Sequence, residues 1–271
     1  MLKRGQVTIF VIIAIIIVVG IAVFIIARTG VIKPAVSAEE AQKIVASQVQ
    51  PVQDLVETCI AEISADYFGR VGEHAGFYSY ISLQKIDYDG DKIIVAYKDS
   101  RGFVNMLPSL ATISNEFEHF LRIEGYQKID NCTQDFRQFK KIVDVKQDIS
   151  LRNSIVHYPN KYVSISMTWP ITISKGGATT TIQDYKALLP IPIDDLLSVS
   201  NDIVTYETRS IPFENVVDMY GEDNAQGKLL RIRIENIISH PDAEHKIFLL
   251  KSIPYRPSEE EIGFYFAVNR A

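Results

Sequence analysis

An uncharged apolar run occupies residues 7–27, close to the start of this 271-residue chain. At a rise of 1.5 Å per residue, a helix of this length is about 30 Å long, which matches the hydrocarbon core of a bilayer. A soluble protein would have to bury such a helix on every side, which is uncommon for an N-terminal helix. The sequence therefore predicts a transmembrane helix over residues 7–27, with a cytoplasmic head of residues 1–6 before it and a linker of residues 28–36 after it.

The charges on the two sides of this run predict its orientation. Lys3 and Arg4 precede the run without any acidic residue, whereas Arg28 and Lys33 follow it and are soon offset by acidic residues. Positive charge favours the cytoplasmic side, and the first helix usually sets the orientation. The run is also longer than the apolar core of a cleaved secretory signal, which is about 7–15 residues. We therefore expect a single-pass protein of the cell membrane, anchored through lipid contacts of residues 7–27, with its C-terminal domain extracytoplasmic.

The first eight residues contain the segment Lys3-Arg4-Gly5-Gln6-Val7-Thr8, in which a basic pair and a glycine precede the apolar helix. This segment resembles the class III signal peptides of archaeal type IV pilins and related surface proteins. The resemblance implies a prepilin peptidase as a partner, cleavage between Gly5 and Gln6, and retention of the apolar helix. Pilins usually carry Glu at the fifth mature position, where this chain has Phe10, and the break at Pro34 also departs from their continuous helix. A plain signal anchor, in which Gly5-Gln6 has no role, stays an open alternative.

The charge balance of the chain beyond its anchor is acidic. Once Lys3 and Arg4 are set aside, 26 of the 28 basic residues and all 33 acidic residues remain. A nucleic-acid-binding surface is usually basic, so this balance argues against a nucleic-acid partner. Residues 37–271 are numerous enough for one large extracytoplasmic domain, and a change of sequence pattern near residue 142 leaves a subdivision open.

Two cysteines, Cys59 and Cys132, lie in the segment that we expect outside the cytoplasm. An even number of cysteines in that location predicts a disulfide, although a buried free thiol at Cys59 is the alternative. Neither cysteine has a Cys or His at metal-ligand spacing. Asn131 begins the sequon Asn131-Cys132-Thr133 and is a candidate glycosylation site on an outer surface.

The periodicity of the chain predicts an α+β fold, with helices mainly in the front half and mainly antiparallel strands in the back half. Ser37 to Glu40 fits a capping box, and apolar residues recur at helical spacing to about Phe68. We expect Pro51 to kink or divide this helix and Gly69, Gly72 and Gly76 to form a loop. Further helices are predicted over residues 110–123, 133–141, 192–206 and 213–220, and strands over residues 77–86, 92–98, 142–151, 162–169, 171–174, 178–188, 228–238, 245–251 and 263–269.

Three segments carry residue types that occur in functional sites. Asp87, Asp89 and Asp91 alternate like the start of a calcium loop, but Asp89-Gly90 between two apolar runs favours a hairpin turn. The segment 175–180 lacks the Gly-Lys-Ser/Thr ending of a phosphate loop, so it also favours a turn. His240 and His245 enclose two carboxylates and are weak metal candidates, because Pro241 excludes the single helical face of an H-E-x-x-H site.

Three functions follow from these observations. The sequence favours a membrane-anchored cell-surface protein with a structural or protein-interaction domain, without catalytic residues, metal or cofactor. The resemblance to pilins implies a second function, a subunit of a type IV pilus-type filament. The His240–His245 cluster suggests a third, an anchored enzyme or solute-binding protein.

Overall fold

The structure of the protein is a computed structural model that describes residues 17–19, 21, 37–78, 83–99, 102–159, 162–207, 232–240, 245–252 and 261–269. The head with Gly5-Gln6, most of the run 7–27, the linker and the short helix predicted over residues 213–220 lie outside the described residues. Within these ranges, no helix is both long and apolar enough to cross a membrane.

The longest helix, α1, comprises Ala38–Glu73. The Ser37 hydroxyl accepts a hydrogen bond from the Glu40 backbone N–H at 3.2 Å, which confirms the predicted N-terminal cap. The prediction that Pro51 divides this helix is wrong, because Pro51 lies inside the continuous helix. Pro51 is exposed, so water is available to the backbone carbonyl that loses its helical partner there.

The loop predicted over Gly69 and Gly72 is also wrong, since both residues belong to α1 and the chain turns only at residues 74–76. A Cβ atom on Gly72 would lie 2.2 Å from the backbone oxygen of Gly263. Gly72 therefore permits close packing of the helix against the last strand, a tertiary contact that the sequence pattern does not reveal. The turn itself has positive φ angles at Ala75 (54°) and Gly76 (97°).

Three shorter helices are described after α1. Helix α2 (Leu110–Phe120) continues through a π-helical turn, Leu121–Gly125, into α3 (Tyr126–Thr133), which ends in a 3₁₀ turn at Gln134–Phe136. The helix predicted over residues 133–141 is therefore misplaced, because Cys132 lies near the end of a helix rather than before one. Helix α4 (Ile193–Glu207) agrees with its prediction to within one residue at each end.

Ten strands are described, and they form two sheets. The strands are β1 (Lys85–Tyr88), β2 (Asp91–Asp99), β3 (Gly102–Val104), β4 (Asp144–Gln147), β5 (Asn153–His157), β6 (Val163–Lys175), β7 (Ala178–Leu189), β8 (Ile232–Ser239), β9 (His245–Ser252) and β10 (Gly263–Asn269). The first sheet has the order β1-β2-β10-β9-β8, with β3 beside β2. Its pairs are antiparallel except for the parallel pair of β2 and β10.

The second sheet is antiparallel and has β6 at its centre. Strand β7 pairs along one edge of β6, while β5 and β4 pair in succession along the other edge. The sequence predicted two strands where β6 is one, it extended the strand of β4 over residues 142–151, and it assigned no strand to β5. The register shifts between Thr168 and Ile171, where Pro170 interrupts the ladder and the partner of β6 changes from β5 to β4.

Helix α1 lies along β7, and both sheets contribute to one buried core. The Lys186 backbone N–H on β7 donates to Glu57 Oε1 on α1 at 3.2 Å. The core joins α1 residues such as Val56 to Trp169 of the second sheet and Phe266 of the first. The described chain is therefore a mixed α+β fold, with a helical front and a mainly antiparallel back half, as the sequence predicted.

Candidate functional site

A cleft of about 710 Å³ opens between the C-terminal end of α1, the connection from β7 to α4, and the strands β9 and β10. Its floor includes Ala65 and Gly69 of α1, and no atom lies within 4 Å of the position that a Cβ on Gly69 would take. Its remaining lining residues are Glu73, Leu189, Pro190, Ile191, Lys251, Glu261, Ile262, Gly263 and Tyr265. The cleft is therefore apolar along its β7–α4 side and carries ionisable groups along its strand side.

The close packing of α1 against β10 fixes one end of this cleft. The backbone oxygen of Gly263 lies so close to Gly72 that no side chain fits on the helix at that position. A Cβ on Gly263 would also lie 2.7 Å from the hydroxyl oxygen of Tyr265. Two glycines from distant parts of the sequence thus bring the Tyr265 hydroxyl close to the helix end.

The charged groups along the strand side form a network of alternating sign. Lys251 Nζ lies 2.8 Å from Glu235 Oε2 and 3.8 Å from Glu261 Oε2. Arg233 lies 3.4 Å from a carboxylate oxygen of each of these two glutamates. The hydrogen bond from Lys251 to Glu235 is the main cause that raises the pKa of Lys251. Since both carboxylates already contact its ammonium group, Lys251 stays charged at neutral pH and orders the rim of the cleft.

Glu73 places a further carboxylate at the mouth of the cleft. It is exposed and is the last residue of α1, where the helix dipole is negative. Arg70, the basic residue of the same turn, lies 3.4 Å from Asp66. The cleft therefore offers apolar walls together with carboxylates, an ammonium group and a phenol, a composition suited to binding an amphipathic group.

The predicted disulfide partners lie beside each other, on α1 and α3. The Sγ atoms of Cys59 and Cys132 are 2.03 Å apart, and their Cα atoms are 5.8 Å apart. Cys59 is fully buried and Cys132 is half-buried, with Glu62 Oε2 at 3.9 Å from the Cys132 sulfur. The bond joins two helices that pack against each other.

A buried arginine fastens α3 to the second sheet close to this disulfide. The Arg152 side chain is only 4% exposed, and its guanidinium lies 3.6 Å from the ring centroid of Trp169. It donates to both carboxylate oxygens of Asp130 on α3 and to Gln147 Oε1 at 3.0 Å. This bidentate pair is a cross-link between layers, since a buried charge is tolerated only when it is paired.

The two histidines considered as metal candidates lie at facing ends of β8 and β9. His240 Nε2 is 3.1 Å from the backbone oxygen of Asp87, and the two imidazole centroids are 6.1 Å apart in an edge-to-face arrangement. No group of three or more His, Cys, Asp or Glu in the described part of the chain could hold a metal ion. Asp89 (φ 51°) and Gly90 (φ 91°) form the tight turn between β1 and β2, as predicted.

The sequon residue Asn131 is exposed on α3. The hydroxyl of Thr133, which completes the sequon, is buried and donates to the Asp130 backbone oxygen at 3.1 Å. Gly176 and Gly177 have positive φ angles of 53° and 89° and form the turn between β6 and β7, as predicted.

The cleft could not be predicted from the sequence, because its residues come from three distant segments and form no motif. The available signal was the alternation of charge among Arg233, Glu235, Lys251 and Glu261, which becomes a network only when β8 and β9 pair. No protein-family model, curated protein or solved structure matches this chain.

Proposed function

We propose that this protein is a single-pass, membrane-anchored cell-surface protein whose α+β domain acts through structure and protein–protein interaction. The observation that supports this proposal most strongly is the uncharged run 7–27, together with the exposure of its described residues. Ile17, Val18, Val19 and Ile21 are helical and are each more than half exposed, between 54% and 65%. Successive helical residues point about 100° apart, so these four side chains cover several faces of the helix.

Such exposure of large apolar side chains favours burial of the run in lipid. A water-exposed apolar helix of this length would be an aggregation hazard, whereas lipid removes the same surface from water. The Cys59–Cys132 bond favours an oxidising compartment, which supports an extracytoplasmic domain. The cleft at the far end of α1 is then a concave surface on which a partner could dock.

A substitution at the middle of the run tests the anchor. We expect the full-length protein to remain with membranes after a high-salt and urea wash. Val18→Asp should release a large fraction of it, because an acidic residue at the helix centre costs about 2.5–3.5 kcal/mol on insertion. Val18→Leu is the matched control and should remain with the membrane. Wild-type protein that washes off as readily as the Val18→Asp variant would refute the anchor.

A pilin-like subunit is the second candidate, and the segment from Lys3 to Thr8 is the observation that favours it. Cleavage between Gly5 and Gln6 and assembly into a filament are separate predictions. Mass spectrometry of the mature N-terminus tests the first, with Gly5→Leu as the variant expected to block cleavage. Electron microscopy of sheared surface fractions tests the second, and an absence of filaments containing this chain would reject polymerisation.

A further inference from the structure

The turn between β6 and β7 lies at the same end of the fold as the start of α1. Glu57 of α1 contacts the backbone of Lys186 on β7, and the later residues Gly69 and Leu189 line the same cleft, so helix and strand run in the same direction. The segment of β7 from Ala178 to Lys186 is about 27 Å long. A helix of the same length contains about 18 residues. The residue of α1 that lies about 18 positions before Glu57 is in the first turn of the helix. The first turn of α1 therefore lies level with the β6–β7 turn.

The same end of the fold carries three lysines around an exposed isoleucine. Lys175, at the end of β6, donates from Nζ to the backbone oxygen of Ile142. The Ile142 side chain is 44% exposed, and the preceding Lys140 and Lys141 are exposed. We call Lys140, Lys141, Ile142 and Lys175 the tip surface.

The acidic residues near the tip surface reduce its charge without cancelling its amphipathic character. Lys140 pairs with Asp135, Asp144 is exposed at the start of β4, and Glu39 pairs with Lys43 at 2.7 Å across the first turn of α1. Lys141 and Lys175 are not involved in these ion pairs. An exposed apolar side chain flanked by lysines has the composition of protein surfaces that lie at a lipid interface.

We propose that the tip surface contacts the lipid headgroups of the membrane that holds residues 7–27. This inference rests on the proposed membrane anchor. Residues 28–37 separate the apolar run from α1, and ten residues span at most about 35 Å. The start of α1, and the tip surface level with it, therefore lie within about that distance of the bilayer, which allows contact with it. Ile142 enters the interface, and the lysines bind phosphate oxygens of the headgroups.

This contact would place the start of α1 at the membrane surface, with the rest of the helix extending away from it. A helix of 36 residues is about 54 Å long, and the cleft residues Gly69 and Glu73 lie near the end of α1 that is opposite the proposed membrane contact. The arrangement presents the cleft to partners outside the cell and keeps the polar turn of Gly176 and Gly177 at the lipid surface.

Depth measurements on the full-length chain in nanodiscs test this contact. A nitroxide is attached to a cysteine introduced as Thr179→Cys, beside the turn, or as Asp184→Cys, about 17 Å further along β7. Labelling without reductant leaves the disulfide intact. A nickel-chelating lipid should relax the Thr179→Cys label severalfold more strongly than the Asp184→Cys label. Equal, weak relaxation at both positions in chains that remain embedded would overturn the proposal while leaving the anchor standing.

A charge substitution provides the second measurement. Ile142→Glu should reduce relaxation of the Thr179→Cys label, because it places an acid at the interface. Leu188→Glu is the matched control, since Leu188 is an exposed apolar residue (56%) on β7, remote from the turn. Unchanged relaxation in Ile142→Glu would contradict the proposed contact. Chains that fail to remain in the nanodisc would instead refute the anchor itself.

Discussion

The bond between Cys59 and Cys132 should be a major contributor to the stability of the folded domain. The two residues are 73 positions apart, so the bond closes a long loop that contains the last part of α1, the strands β1–β3, helix α2 and most of α3. In the chain-entropy treatment, a loop of this length lowers the entropy of the unfolded chain by an amount worth about 4 kcal/mol at 25 °C. For a domain of this size, that free energy corresponds to a fall in Tm of about 8–16 °C.

Urea unfolding of the full-length protein in detergent micelles measures this contribution. The oxidised protein is compared with the Cys59→Ala/Cys132→Ala variant, with tertiary structure followed through the fluorescence of the buried Trp169. We expect the free energy of unfolding to fall by about 4 kcal/mol, with an additional loss from the cavity at fully buried Cys59. A difference below about 1 kcal/mol would refute the reasoning that the bond constrains the unfolded chain.

Glu62 should slow reduction of the same bond. Cys59 is fully buried, so an external thiolate has access only to the Cys132 sulfur, which lies 3.9 Å from a Glu62 carboxylate oxygen. Glu62→Gln should therefore accelerate reduction by an anionic thiol more than by a cationic thiol, with a smaller difference at high salt. Equal acceleration by both thiols would show that charge repulsion is not the cause.

Two further predictions concern packing and titration. Gly72→Ala should destabilise the protein by about 1–3 kcal/mol, because its new Cβ would clash with the Gly263 backbone oxygen, whereas Gly69→Ala has open space and should stabilise α1 by up to about 1 kcal/mol. Comparable denaturation midpoints for the two variants would contradict this. Burial raises the pKa of Tyr158 from 10.0 to about 12. Between pH 10 and pH 12, the Tyr158 hydroxyl therefore keeps its proton in the folded state but loses it in the unfolded state. The free energy of unfolding should consequently fall as the pH rises from 10 to 12. Tyr158→Phe should reduce that fall, and an unchanged pH dependence of the unfolding free energy would exclude Tyr158 as its source.

Local sequence signals were sufficient wherever one segment determined its own structure. The Asp89-Gly90 turn, the cap at Ser37 and the helix that begins after Pro192 each depend on residues adjacent in the sequence. β10 was also located correctly, since the consecutive aromatic residues Phe264, Tyr265 and Phe266 favour a strand and follow Gly263. Such elements form where local propensity and tertiary packing agree.

The failures occurred where distant parts of the chain decide the structure. Gly72 was assigned to a loop, but it lies inside α1, where its missing side chain leaves room for β10. Helix α3 was missed because its stability comes from contacts with α1, the disulfide and Arg152. Pro170 suggested a break between two strands, but a bulge accommodates it within β6. The cleft depends on three segments that meet only in the folded protein, so no linear motif could identify it.

The central claim is that the domain lies outside the membrane in which residues 7–27 are anchored. Protease added to intact cells, with a cytoplasmic protein as the control for lysis, tests it most directly. We predict that residues 37–271 are digested from the outside, while fragments carrying residues 7–27 remain with the membrane. The contradicting result would be full-length protein that resists the protease in intact cells but is digested once the cells are lysed. Such protection would place the domain on the cytoplasmic side of the membrane.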